Sequence, residues 1–222
     1  MLALETSAAA CSVALQIGEK IISRTIVEPR KQTQQILPMI YDLLLTANVT
    51  QEALQAVAFS QGPGSFTGVR VASSVAQGLG FALQIPIIAV SSLAVLAQTV
   101  WMQSPPWQQI VTLVDAHMGQ VYCGIYQLNA NGIMELIAQE GVYHPKEIQD
   151  ILMDLPEDRH WYGAGDGWVK YGEILNKHLR FSLQAINPYQ PPLAEALLCL
   201  AHEKVKHNGL LPASKALPVY FR

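Results

Sequence analysis

The sequence predicts a duplicated α/β fold of two lobes, and three features carry that prediction. Short apolar strands alternate with stretches of helical period. Each half opens in the same way, with an apolar strand, an acid-bearing turn and a hairpin; the order of elements repeats, although the residues themselves do not. In each half a later apolar strand runs into a glycine cluster followed by a helix: Gln61–Gly68 (QGPGSFTG) in the first and Gly163–Gly167 (GAGDG) in the second.

Met1–Leu4 reads as the first strand, with Glu5-Thr6-Ser7 as its polar turn. Cys11–Ile17 alternates, placing Cys11, Val13, Leu15 and Ile17 on one side, and Gly18-Glu19 turns it into a second strand over Lys20–Val27. Thr33–Asn48 has helical period, with Ile36, Leu37, Ile40, Leu43, Leu44 and Ala47 on one face and Tyr41 and Leu45 projecting off it. Thr33 is the expected N-cap, which puts Pro38 near the end of the first turn, where a missing N–H costs little. After one helical turn at 52–54, Ala56–Ser60 is a short strand feeding the glycine loop. Phe66–Leu83 is helical: Gly68, Ala72, Val75, Leu79 and Leu83 share one face, and Arg70, Ser73, Ser74, Gln77 and Phe81 the other. Gly80 and Ala76 border that second face, so another backbone could approach closely.

Pro86–Val90 is a buried strand, Ser91 caps a helix to about Met102, and Ser104-Pro105-Pro106 is the expected linker. Ile110–Val114 then ends at Asp115. Gln120–Leu128 and Ile133–Gln139 form a hairpin around Asn129–Gly132. Pro145–Met153 is a helix, His160–Gly163 a strand, Trp168–His178 a helix with Asp166 as its cap, and Pro191–His207 a last helix ended by Asn208-Gly209. The lobes are expected to divide as 1–103 and 107–222, with helix 191–207 packing back on the first.

Half of the 222 residues are hydrophobic and 14% are charged, against roughly 25% charged in soluble proteins. Between Glu52 and Asp115 the one charged side chain is Arg70. A stretch so poor in charge has to be buried in its own core or against another protein. The net charge is -3 with no basic stripe, which argues against autonomous nucleic-acid binding. Three widely spaced cysteines form neither a disulfide framework nor a zinc pattern, as suits a reducing cytosol. No basic stretch leads into an apolar run with a cleavage site, so no secretory leader is expected. The most apolar window, Leu79–Ala97, is broken by Gln84, Pro86, Ser91 and Ser92 and falls short of a membrane span.

No catalytic constellation assembles from the residues alone. Glu5 and Asp115 each end the first strand of a half, where such folds hold metal-bound phosphate. The alternative is that both bond local amides, and it is favoured because neither turn has a glycine that lets amides close on phosphate. GPGSFTG is either an anion loop at a helix N-terminus or a tight turn with Ser65 or Thr67 as cap. It lacks the lysine of a P-loop and the spacing of a dinucleotide fingerprint. None of the six histidines has zinc spacing, and no nucleophile elbow is present. Arg70 suits a phosphate or, better, a carboxylate across a protein interface.

Several of these segments together resemble the bacterial TsaB (YeaZ) family over the whole chain: Leu2–Leu15, Arg30–Pro38, Gly62–Arg70 with Val75–Gly80, Val90–Ala94, Asp115–Tyr126 and Pro218–Arg222. The resemblance implies an actin-like/Hsp70-like ATPase (ASKHA) fold, two lobes with mixed five-stranded sheets flanked by helices and a reduced second lobe. It implies a non-catalytic, cytoplasmic partner of TsaD, the related protein expected to carry metal and ATP or ADP. With TsaE, the two install threonylcarbamoyl on the adenosine beside the anticodon of ANN-reading tRNAs, which this chain would meet only indirectly. The contact with TsaD, or with a second copy when TsaD is absent, is expected on helices 33–48 and 66–83. Gln34, Tyr41, Leu45, Arg70, Ser73, Gln77, Gly80 and Phe81 are the expected interface residues. The family usually has Asp at the position of Glu5 and His-Ser at Gln32-Thr33. The first change lengthens the acidic arm and the second removes a metal ligand. The competing readings are an ATP-dependent phosphotransferase using Asp115 or Glu5 for metal, and a metallopeptidase, which lacks ligands.

Overall fold

The computed structural model describes residues 1–28, 31–104, 106–176 and 182–221. Arg30, the linker residue Pro105, the end of the expected 168–178 helix at 177–178 and Arg222 lie outside these residues. The chain forms two compact units, 1–95 with 191–220, and 96–190 with Phe221.

In the first unit, β1 (Leu2–Glu5), β2 (Ala10–Ile17) and β3 (Lys20–Val27) form an antiparallel meander. After α1 (Gln32–Ala47), β4 (Val57–Ser60), α2 (Phe66–Leu83) and β5 (Ile87–Val90) complete the sheet in the order β3-β2-β1-β4-β5. β4 runs parallel to both β1 and β5, since each crossover is long enough to carry a helix. The sheet has two unlike faces. Leu2, Leu4, Val13, Leu15, Val57 and Phe59 pack with Ile36, Ile40, Leu43, Ala72 and Ala76 of α1 and α2. Ala3, Ala14 and Ala58 point the other way, where their small side chains let a helix sit close.

The chain passes through α3 (Ser92–Gln103) to the second sheet: β6 (Gln109–His117), β7 (Gln120–Leu128), β8 (Met134–Tyr143), α4 (Pro145–Met153), β9 (Trp161–Ala164), α5 (Gly167–Asn176) and β10 (Ile186–Asn187). Its order, β10-β9-β6-β7-β8, read from the other edge repeats that of the first sheet, with the same pattern of parallel and antiparallel pairs. The two sheets make this the actin-like/Hsp70-like ATPase fold. Val111, Leu113, Ile125, Trp161 and Trp168 form the second core with Ile148, Leu152 and Leu175. No helix among the described residues is long and apolar enough to cross a membrane.

The units divide the chain differently from 1–103 and 107–222, because α6 (Ala194–Lys206) lies against β1, β2, β4 and β5. Its first amide, Ala194 N, donates to Ser12 Oγ at 3.0 Å, and Lys204 Nζ donates to Ala89 O at 2.7 Å. Both faces of β2 are therefore covered, and Ala10–Leu15 is buried without alternation. The N-cap position of α1 is Lys31, two residues before the expected Thr33, and it has no side-chain cap bond. Thr33 is thus inside the helix, and Pro38 sits in its second turn. Asp166, the expected cap of α5, accepts at Oδ1 from Asp115 N at 2.9 Å.

The β1–β2 turn and the start of α2 meet at backbone distance. A Cβ on Gly68 would stand 1.8 Å from Thr6 O and one on Gly64 2.3 Å from Ser7 O, whereas Gly78 has nothing within 4 Å. Replacing Gly68 by Ala should therefore lower stability by about 3 kcal/mol through overpacking. Gly78→Ala should instead raise it by up to about 1 kcal/mol through helix propensity. Urea melts followed by circular dichroism would show midpoints moving in opposite directions.

Candidate functional site

Two places hold the residues singled out from sequence: the strand-end turns with their acids, and the outward faces of α1 and α2.

At the first turn the backbone is already occupied. Ser65 N donates to Ser7 O at 2.7 Å, Thr6 Oγ1 donates to Gly68 O at 2.7 Å, and Ser65 Oγ accepts from Gly68 N at 3.3 Å. The Ser65 and Gly68 amides are thus committed within the chain, in the manner of a turn with a helix cap. Gln32, buried where the resemblance leads one to expect a histidine, donates through Nε2 to Ala8 O at 3.0 Å and ties the start of α1 to the same turn.

Glu5 is 1% exposed. Its Oε1 accepts from Ser7 N at 2.6 Å and Ser7 Oγ at 2.5 Å. Burial pushes its pKa from 4.5 up to about 7, tempered by the Ser7 bonds and by the nearby Ser60 hydroxyl. Ser60 Oγ is close enough to act on the carboxyl, yet neither it nor Glu5 Oε2 has a hydrogen-bond partner. Asp115 has a different environment. Lys170 Nζ lies 3.1 and 3.0 Å from its two oxygens, and His117 N donates to Oδ1 at 3.1 Å. Partial burial raises its pKa, but the Lys170 hydrogen bond, the His117 amide and the neighbouring cations outweigh that and hold it below the usual range. Among the described residues no group of three or more His, Cys, Asp or Glu side chains could hold a metal.

On α1, Gln34, Tyr41 and Leu45 are exposed as expected. Leu37 was expected in the core but is 58% exposed, because Ile36, Met39, Ile40, Leu43 and Leu44 fill the buried stripe. Leu37, Tyr41 and Leu45 follow one another at four-residue steps and form an outward apolar row. On α2, Arg70, Gln77 and Phe81 are exposed, Phe81 by 73%.

Two interface expectations are corrected. Ser73 is 3% exposed and donates Oγ to Arg70 O at 3.1 Å; Ser74 takes the outward place. Gly80 is buried against the chain itself, since a Cβ there would lie 3.0 Å from Ile87 and 3.1 Å from Ala213. The outward glycine is Gly78. Phe66, absent from the sequence-based set, stands four residues before Arg70 on the same face, and the guanidinium lies 3.4 Å over its ring centre. Between the helices runs a groove of about 410 Å3 lined by Thr33, Ile36 and Leu37 of α1 and Phe66, Arg70 and Ser74 of α2, among others. Apolar lining, one aromatic ring (Phe66) and a single arginine with no other charge among its lining residues make a protein-docking composition.

Comparison with known proteins adds identity to this geometry. Residues 20–181 match the family described as TsaD: tRNA N6-adenosine threonylcarbamoyltransferase. Over its whole length the chain is 34% identical to the tRNA threonylcarbamoyladenosine biosynthesis protein TsaB of Escherichia coli strain K12, covering 94% of that protein. A solved structure from Pseudomonas aeruginosa, described as an uncharacterized protein with similarity to peptidase YEAZ, is 41% identical. It aligns over 100% of this chain and 98% of its own, with a TM-score of 0.89. A structure described as YeaZ from Pseudomonas aeruginosa is 40% identical, aligning over 99% of this chain and 98% of its own, with a TM-score of 0.86.

The Glu5 environment sets a pH dependence. Its carboxyl is more basic folded than unfolded, so its stabilising contribution is complete below pH 4.5 and lost as pH rises through 7. The difference amounts to about 3 kcal/mol. In Glu5→Gln the amide oxygen can keep the Ser7 bonds and the NH2 group faces Ser60. Denaturation from pH 5 to pH 8 should show the natural chain losing stability relative to this variant; parallel curves would refute the assignment.

Proposed function

The chain belongs to the TsaB family, and from that premise we propose that it serves tRNA threonylcarbamoyladenosine biosynthesis as a non-catalytic subunit. It docks on the tRNA N6-adenosine threonylcarbamoyltransferase, TsaD, through the outward faces of α1 and α2 and activates it. The transferase, with TsaE, then transfers threonylcarbamoyl to the adenosine beside the anticodon in tRNAs reading ANN codons. The observation that carries this reading is the exposure of large side chains on both helices: Tyr41 is 65% and Phe81 73% exposed, and Leu37, Phe66 and Arg70 line the groove between α1 and α2. Apolar side chains of that size, set in a segment almost free of charge, are what a partner covers.

The non-catalytic part of the reading draws support from the two strand-end acids. Glu5 is buried and bonded to Ser7, and Asp115 is paired with Lys170. Neither is poised to hold a metal-bound phosphate. The nucleotide and metal are therefore assigned to the transferase. Without it the same face is open to a second copy of this chain, and the proposed role implies a cytoplasmic location.

The test is co-purification with the transferase, followed by a tRNA-modification assay with and without this chain. Modification should fall sharply when the chain is omitted. Leu37→Asp and Phe81→Asp, both at exposed positions, should weaken binding about thirtyfold or more with unchanged melting temperatures. Undiminished co-purification of both variants, or tight ATP–magnesium binding by the isolated chain, would count against the docking subunit and for a phosphotransferase.

A further inference from the structure

Arg70 is held from two sides. One face of its guanidinium lies 3.4 Å from the centre of the Phe66 ring, and Nε donates to Tyr220 Oη at 2.8 Å. The two aromatic rings in turn touch, with centres 6.3 Å apart. Arg70 takes no part in the ion pairs found among the described residues. Arginine carries five N–H donors in a planar fork, so with Nε engaged the two terminal amino groups remain for an outside acceptor.

Tyr220 reaches this position because the tail of the chain follows α2 backwards. Ala213 meets Gly80 and accepts from Gln77 Nε2 at 3.4 Å, near the helix end. Val219 N donates to Gln61 O at 2.8 Å, beside the loop that leads into the helix start. The backbone bond at Val219 fixes the strand of chain that carries Tyr220, and Tyr220 fixes the arginine. A guanidinium already ordered loses less freedom when a partner binds than one that must be ordered at that moment.

We propose that Tyr220 is a positioning residue of the docking face: it holds Arg70 so that its terminal amino groups meet an acidic side chain of the transferase. This rests on the docking reading above. Carboxylate is the expected acceptor because it matches the fork bidentately and because Arg70 is the one charged side chain of α2. The segment that carries Tyr220 is thereby part of the partner-recognition surface.

The test measures the affinity of the full-length chain for the tRNA N6-adenosine threonylcarbamoyltransferase, comparing the natural chain, Tyr220→Phe, Arg70→Ala and the double variant. Tyr220→Phe keeps the ring against Phe66 and loses only the hydroxyl. It should melt at the same temperature, bind about tenfold more weakly and show a flatter dependence on salt. Arg70→Ala should bind at least as weakly as Tyr220→Phe, and the double variant no more weakly than Arg70→Ala, because the hydroxyl acts only through the arginine. If Arg70→Ala weakens binding while Tyr220→Phe binds like the natural chain, or if the two losses add, the positioning role is overturned and docking stands. If the natural chain does not bind, or if Arg70→Ala, Leu37→Asp and Phe81→Asp all bind normally, docking itself falls and this role with it.

Discussion

The contact between Gly68 and Thr6 is the constraint on which the first unit depends. Backbone meets backbone there, with room for hydrogen and nothing larger. The strand-end turn thereby fixes where α2 begins, and α2 presents Phe66, Arg70 and Phe81. The second unit uses a similar device: a Cβ on Gly165 would lie 2.3 Å from Leu113 O, where the loop after the fourth strand crosses the first. Both glycine clusters thus have a place in close packing of loop on strand. Their recurrence follows from the repeated sheet order.

Much of this was legible in the sequence, and the failures have physical causes. Helix 66–83 has the bounds that its period predicts, and Ser65 caps it. The orientation of its faces is less legible, because Ser, Gly and Ala carry little hydrophobic signal. Ser73 is buried and Ser74 exposed, and the buried hydroxyl is satisfied by a carbonyl of its own helix. Leu37 could have been found by extending the Tyr41–Leu45 row one step back. The strand Ile186–Asn187 is too short for any period to show. Tyr220 has no local signal at all; only folding brings it beside Arg70, 150 residues earlier.

The two acids at equivalent places show how environment divides residues of one type. Glu5 sits on the alanine-lined face of its sheet, sealed from water, and its longer arm turns back onto Ser7. Asp115 remains in reach of solvent and is neutralised by Lys170. A reading of the fold alone would give them one role, whereas burial in the first case and a counter-ion in the second draw them apart.

The assignment of α6 to the first unit bears on how the molecule is made. Translation delivers 1–95 long before Ala194–Lys206, so the alanine-lined face of the first sheet waits uncovered while the next hundred or so residues emerge. The second unit is nearly contiguous and can close as it leaves the ribosome. Of the two units, the one begun earlier is therefore completed later, and in the interval its sheet is in need of protection from aggregation.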